Sequence, residues 1–208
     1  MKDPNITIVD YGVGNVYSVF NAIKHLGYKH VQITSVEDEI LTADCLILPG
    51  VGAFKACIDN LHSSKLIDVL THAVIDIRKP ILGICVGMQL MADSSEENGQ
   101  NSGLGWIPGK VIKIPNDLNH PVPHVGWNNL IRVDENSPLF KGSKASPHFY
   151  FDHSYIYSCD EKYITSTFDY NGEHISSISR GNIHGVQFHP EKSSLNGLRL
   201  FRSFFSSF

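Results

Sequence analysis

The chain has 208 residues, of which 42% are hydrophobic and 18% charged, with a formal net charge of −4. This is enough chain to bury a sizeable core in one domain over 1–208, and no basic block marks a nucleic-acid binder. No apolar run approaches the ~20 residues that span a bilayer, and the start, Met1–Pro4, lacks a signal peptide's apolar region. The four cysteines are scattered without a C-x-x-C pair, so they are expected to be reduced thiols in a cytoplasmic protein.

The first half alternates strand and helix patterns. Asn5–Asp10 is a β-rich run ending in the turn Tyr11–Asn15, and Val16, Val19, Phe20, Ile23 and Leu26 then recur at helical spacing up to a C-terminal Gly27. Val31–Ile33 and Cys45–Leu48 are further strands, the latter closed by Pro49-Gly50-Val51-Gly52. Leu66, Val69, Leu70, Ala73 and Ile77 predict an amphipathic helix that leads into the strand ending at Cys85. Such alternation indicates an α/β fold with parallel pairing. The loops after Asp10, Pro49 and Cys85 should then share the rim at the strands' C-terminal ends.

Asp93–Gly105 reads as a polar loop. The second half carries strand candidates at Lys110–Ile114, Leu130–Val133, Phe149–Tyr157, Tyr163–Phe168, His174–Ser179 and Ile183–Phe188, with a hairpin turn at Tyr170–Glu173. A final helix places Leu195, Leu198, Phe201, Phe204 and Phe205 on its apolar side.

The most informative run is Lys79–Gln89, an apolar strand ending at Cys85 between Gly83 and Gly87. It is the thiol counterpart of the strand–turn–helix elbow that exposes a nucleophile, and its glycines leave room for the tight turn. A thiol at a helix start gains acidity from the dipole and free N–H groups; the competing reading is an inert buried cysteine. A thiol nucleophile needs a base and a group to orient that base. His189 ends an apolar strand before Pro190, and Glu191 follows where it could hold the imidazole tautomer. His120 and His124, bound by prolines, offer too few ligands for a metal, and no cofactor is expected.

Gly-Ile-Cys85-Val-Gly-Met-Gln together with Phe-His189-Pro-Glu191 resembles the class I glutamine amidotransferases. Asp10–Asn15, Pro49–Phe54, Pro123–Asn128 and Phe149–Tyr155 further resemble the glutaminase subunits of imidazole glycerol phosphate synthases. The resemblance covers nearly the whole chain. It implies a three-layer α/β/α fold on a mixed, mainly parallel sheet, and hydrolysis of glutamine to glutamate and ammonia by Cys85, His189 and Glu191. Val86, with Val51 and Gly52, would form the oxyanion hole. Gln89, Glu97, His153, Ser154 and Tyr155 would bind the substrate.

The same resemblance implies a (β/α)8 cyclase subunit as partner. Asn15, Ser18, His124, Trp127, Asn128, Asp152 and Lys192 would lie at the interface, and a mobile Pro49–Gly52 strand would be the switch. Val86 stands where leucine is usual and Asp152 where valine is usual. Three other readings stay open: a paralogous glutaminase serving a nucleotide-sugar amidotransferase, a non-catalytic amidotransferase-like subunit, and a cysteine peptidase.

Overall fold

A computed structural model describes residues 3–115, 120–141 and 146–208; Met1 and Lys2 lie outside the described residues. The first half runs β1 (Ile6–Val9), α1 (Val16–His25), β2 (Val31–Thr34), α2 (Glu37–Thr42), β3 (Cys45–Gly50), α3 (Phe54–Ser63), α4 (Leu66–Thr71), β4 (Ile81–Cys85) and α5 (Val86–Gln89). The second half is mostly strand: β5 (Ser94–Ser95), β6 (Asn101–Ser102), β7 (Gly109–Lys113), β8 (His124–Val133), β9 (His148–His153), β10 (Tyr155–Cys159), β11 (Ile164–Asp169), β12 (Glu173–Arg180) and β13 (Ile183–Val186). Helix α6 (Ser194–Phe205) follows.

One sheet has the order β2-β1-β3-β4-β13-β12-β11-β8-β9. Its pairing is parallel from β2 to β13 and antiparallel from there to β9. A smaller sheet joins β10, β7, β5 and β6. Every residue of β1, β3, β4 and β13 is buried, as expected for strands covered on both faces. Strand order reverses at β1, so right-handed crossovers put α1 on one face and α2 on the other. Consistently, α1 packs with α6, whereas α2 and α3 pack with α4. The result is three layers, with the loops after β1, β3 and β4 gathered at the switch point where ligands bind in open α/β sheets.

Several sequence expectations change. Helix α4 passes into a π-helical turn over His72–Asp76, which buries Val74 and leaves Ile77 46% exposed. The wider turn rotates the apolar stripe by one position, which a constant 3.6-residue period cannot anticipate. The polar stretch Asp93–Gly105 contains the β5–β6 pair, and the chain forms two further helices, α2 and α3. The expected strand Leu130–Val133 reaches back to His124, while Phe149–Tyr157 breaks at Ser154 into strands of different sheets. On α6, Leu195 is 66% exposed and Leu198 partly so, while Gly197 and Leu200 face the core with Phe201, Phe204 and Phe205. The Tyr170–Glu173 hairpin joins β11 to β12 as expected.

Candidate active site

Cys85 ends β4 with φ 55° and ψ −112°, a backbone state that L-residues adopt only where the surroundings enforce it. The flanking glycines make the turn possible. A Cβ on Gly87 would overlap the Leu48 carbonyl oxygen, and one on Gly83 would lie 2.6 Å from the Gly87 oxygen. The helix that follows, α5, is a single turn. Its dipole is therefore slight, and local N–H groups carry most of the field expected there.

Pairing of β4 with β13 brings the C-terminal segment beside the thiol. The His189 N–H donates to the Tyr150 carbonyl at 2.8 Å, and Ser193 Oγ donates to the His189 carbonyl at 2.5 Å while accepting the Tyr150 N–H at 3.0 Å. These bonds stitch the His189–Ser193 turn to β9. His189 Nδ1 lies 2.8 Å from Glu191 Oε1, and both side chains are almost fully buried. The other carboxylate oxygen of Glu191 is buried without a hydrogen-bond partner among the described residues. Burial pulls the His189 pKa down, but hydrogen bonds to Cys85 and Glu191 and their negative charge outweigh it, raising it to about 10.

The thiol sits at the floor of a cavity of about 560 Å³, and Val51, Gly52, Val86, Gln89, Glu97, His153, Ser154 and Tyr155 all line it. Not every side chain is free to meet a ligand. The Gln89 amide donates to the Tyr155 carbonyl at 3.0 Å and to Gln187 Oε1 at 3.1 Å. Glu97 Oε2 accepts the Phe54 N–H at 2.7 Å, so it also caps α3. His153 is buried and donates from Nδ1 to the Tyr155 carbonyl at 2.9 Å, which leaves Nε2 to accept from His124 Nδ1 at 3.3 Å. Burial lowers the His153 pKa to about 3, so the ring is neutral.

The residues expected at an interface fall into two groups. Asn15, Asp152 and Lys192 line the cavity, and Lys192 Nζ lies 4.0 Å from Asp152 Oδ2. Trp127 is 50% exposed on β8, and Asn128 donates to the Asp169 carbonyl at 2.9 Å. Ser18 is partly buried on α1. His124 departs from the expectation: its ring is buried against Phe151, Phe168 and Tyr170 rather than presented at the surface. Strand alternation is the reason, because Val125 and Trp127 take the outward face of β8.

Gln187 escaped the sequence reading. It is fully buried, and its amide N–H lies 3.8 Å from Cys85 Sγ. Two-residue periodicity through Gly185, Gln187 and His189 was the available signal.

The family model "Glutamine amidotransferase class-I" matches residues 7–207. The chain belongs to the class I glutamine amidotransferases. Among curated relatives of this amidotransferase, "Imidazole glycerol phosphate synthase subunit HisH 2" of Vibrio vulnificus is 53% identical, covering 96% of this chain and 92% of the relative. The corresponding HisH subunit of Pelagibacter ubique is 43% identical, covering 96% and 98%. A solved structure titled "Structure of PurLQS from Thermotoga maritima" superposes with a TM-score of 0.77 at 19% identity, covering 99% of each chain. It shares the amidotransferase fold. Among the described residues, no helix of this amidotransferase is long and apolar enough to cross a membrane.

Proposed function

We propose that this chain is the glutaminase subunit of an imidazole glycerol phosphate synthase, acting in the cytoplasm as one domain over 1–208. The observation that carries the chemistry is the buried line Cys85–His189–Glu191 on the floor of a cavity that opens at the parallel strands' C-terminal rim. Cys85, as thiolate, attacks the side-chain carbonyl carbon of glutamine. The tetrahedral intermediate collapses as His189 gives a proton to the departing ammonia, leaving a γ-glutamyl thioester. His189 then takes a proton from water, whose oxygen attacks the thioester, and glutamate leaves as the thiol regains its proton. Glu191 holds the Nδ1–H tautomer and stabilises the imidazolium. Glutamine and water thus become glutamate and ammonia.

The Val86 N–H, first after the nucleophile, with those of Val51 and Gly52, serves the oxyanion. Gln89, Glu97, His153, Ser154 and Tyr155 hold the amino-acid end, with Glu97 the group suited to the ammonium. Gln89 and His153 act mainly by fixing the Tyr155 carbonyl that both hydrogen-bond.

A (β/α)8 cyclase subunit is the partner in this reading, receiving ammonia at the rim. Support comes from the outer face of β8, where Val125, Trp127 and Ile131 are each at least half exposed. Exposed apolar side chains of this kind beside the cavity are suited to covering by another protein. Asn15, Ser18, Asn128, Asp152 and Lys192 would rim the contact, with His124 supporting β8 from within.

The test is glutamate release by the purified chain, alone and with the same organism's cyclase subunit and its ribonucleotide substrate, beside a Cys85→Ala control. Strong stimulation that vanishes in Cys85→Ala is expected. Absence of stimulation by a cyclase that is active on free ammonia would discard this partner and favour the nucleotide-sugar amidotransferase reading.

A further inference from the structure

The Pro49–Gly52 segment is held by two side chains with no part in the reaction as derived above. The Tyr11 hydroxyl donates to the Pro49 carbonyl at 2.6 Å, and the Cys57 thiol donates to the Val51 carbonyl at 3.5 Å. Tyr11 comes from the turn after β1 and Cys57 from α3. Both are buried, and neither lines the cavity above Cys85. The two carbonyls they bind therefore point away from that cavity. In a trans peptide the N–H points opposite to the C=O, so the Gly50 and Gly52 N–H groups are turned the other way. Between the two anchored peptides lies the Gly50–Val51 peptide, flanked by pinned carbonyls on either side.

There is no slack around this arrangement. A Cβ on Gly50 would lie 2.6 Å from the Gly87 nitrogen and 3.0 Å from both Tyr11 Oη and Val86 Cβ. The strand end, the Tyr11 hydroxyl and the nucleophile elbow are thus in mutual contact, and a shift of one is passed to the others. Burial raises the pKa of Tyr11 well above its ordinary value and that of Cys57 to about 11, so both groups keep their donor protons at neutral pH.

We propose that Tyr11 and Cys57 are positioning residues that turn the Pro49 and Val51 carbonyls away from the oxyanion site. That site is thereby kept clear of both carbonyl dipoles. A carbonyl dipole swinging toward a developing oxyanion would oppose the charge, whereas preorganised N–H groups stabilise it. The effect is felt at the tetrahedral stage, not in ground-state binding of glutamine. This inference rests on the glutaminase reading above.

The test uses Tyr11→Phe, Cys57→Ala and Cys57→Ser in the full chain, assayed with its partner for glutamate release. Alkylation of Cys85 by iodoacetamide, followed by peptide mapping, runs in parallel because it forms no oxyanion. Tyr11→Phe and Cys57→Ala should each lower kcat about five-fold, the population change one neutral hydrogen bond commands, with KM for glutamine within about two-fold. Cys57→Ser keeps a donor and should stay near wild type, and alkylation should be unchanged in all three. Unchanged kcat, a matching loss in alkylation and KM, or a gain in activity would each overturn the assignment. Failure of the glutaminase reading looks different, because the wild type itself would then release no more glutamate than Cys85→Ala.

Discussion

His189 sits where two influences oppose each other. Burial disfavours its charged form, yet Cys85 and Glu191 supply negative charge and hydrogen bonds, and the pKa settles near 10. Because that value lies above the unfolded value of about 6.5, the folded chain holds this proton more tightly than the unfolded one. The resulting stability is fully present below pH 6.5 and is lost as pH rises toward 10. Urea unfolding between pH 7 and 10 should show this decline, and Glu191→Gln should flatten it. The same substitution should cut kcat by about 10²–10⁴, because a glutamine amide can present its own N–H to Nδ1 and select the wrong tautomer. At this scale the sequence was most legible: an elbow cysteine between glycines and a histidine ending a strand announce themselves by local pattern. Gln187 and the buried setting of His124 did not, since each depends on what lies across the sheet.

Elements transmit these residue effects. Gly197 on α6 packs directly beneath the turn that carries Glu191, and a Cβ there would overlap the Pro190 carbonyl oxygen. Gly197→Ala should therefore cost about 3 kcal/mol or more in stability and loosen the His189–Glu191 pair, as read by thermal unfolding and kcat together. Strand β8 should behave differently. Trp127→Ala removes a half-exposed aromatic from its outer face and should leave folding intact while weakening partner binding about 30-fold, the effect of a central interface aromatic. Calorimetric titration would measure it. Element types in the parallel half were readable from alternating patterns, whereas two boundaries were hidden. The π-turn after α4 changes the period midway, and the break at Ser154 moves the chain between sheets within one apolar-aromatic run.

Across the whole molecule, three buried histidines act opposite to His189. Burial lowers His124 to about 4, His153 to about 3 and His184 to about 4. Each folded value lies below the unfolded one, so the unfolded chain binds these protons first. Stability should fall as pH drops below about 6.5, by up to ~1.4 kcal/mol per pH unit for each histidine. Unfolding midpoints measured from pH 7 to 4.5 would reveal the slope. His184→Gln, whose parent ring meets Ser179 away from the cavity, should make the slope shallower while leaving kcat unchanged. Long-range packing creates these shifts, so nothing in the local sequence around each histidine signals them.

The pairing of β4 with β13 also has a consequence for how the protein is made. Cys85 and its neighbour Gln187 are 102 residues apart in the chain, and His189 lies further still. During synthesis the elbow leaves the ribosome long before His189 is translated. A growing chain therefore carries the thiol before the imidazole and the carboxylate that stand beside it in the folded protein. The three side chains come together only once the segment beyond β13 has been made.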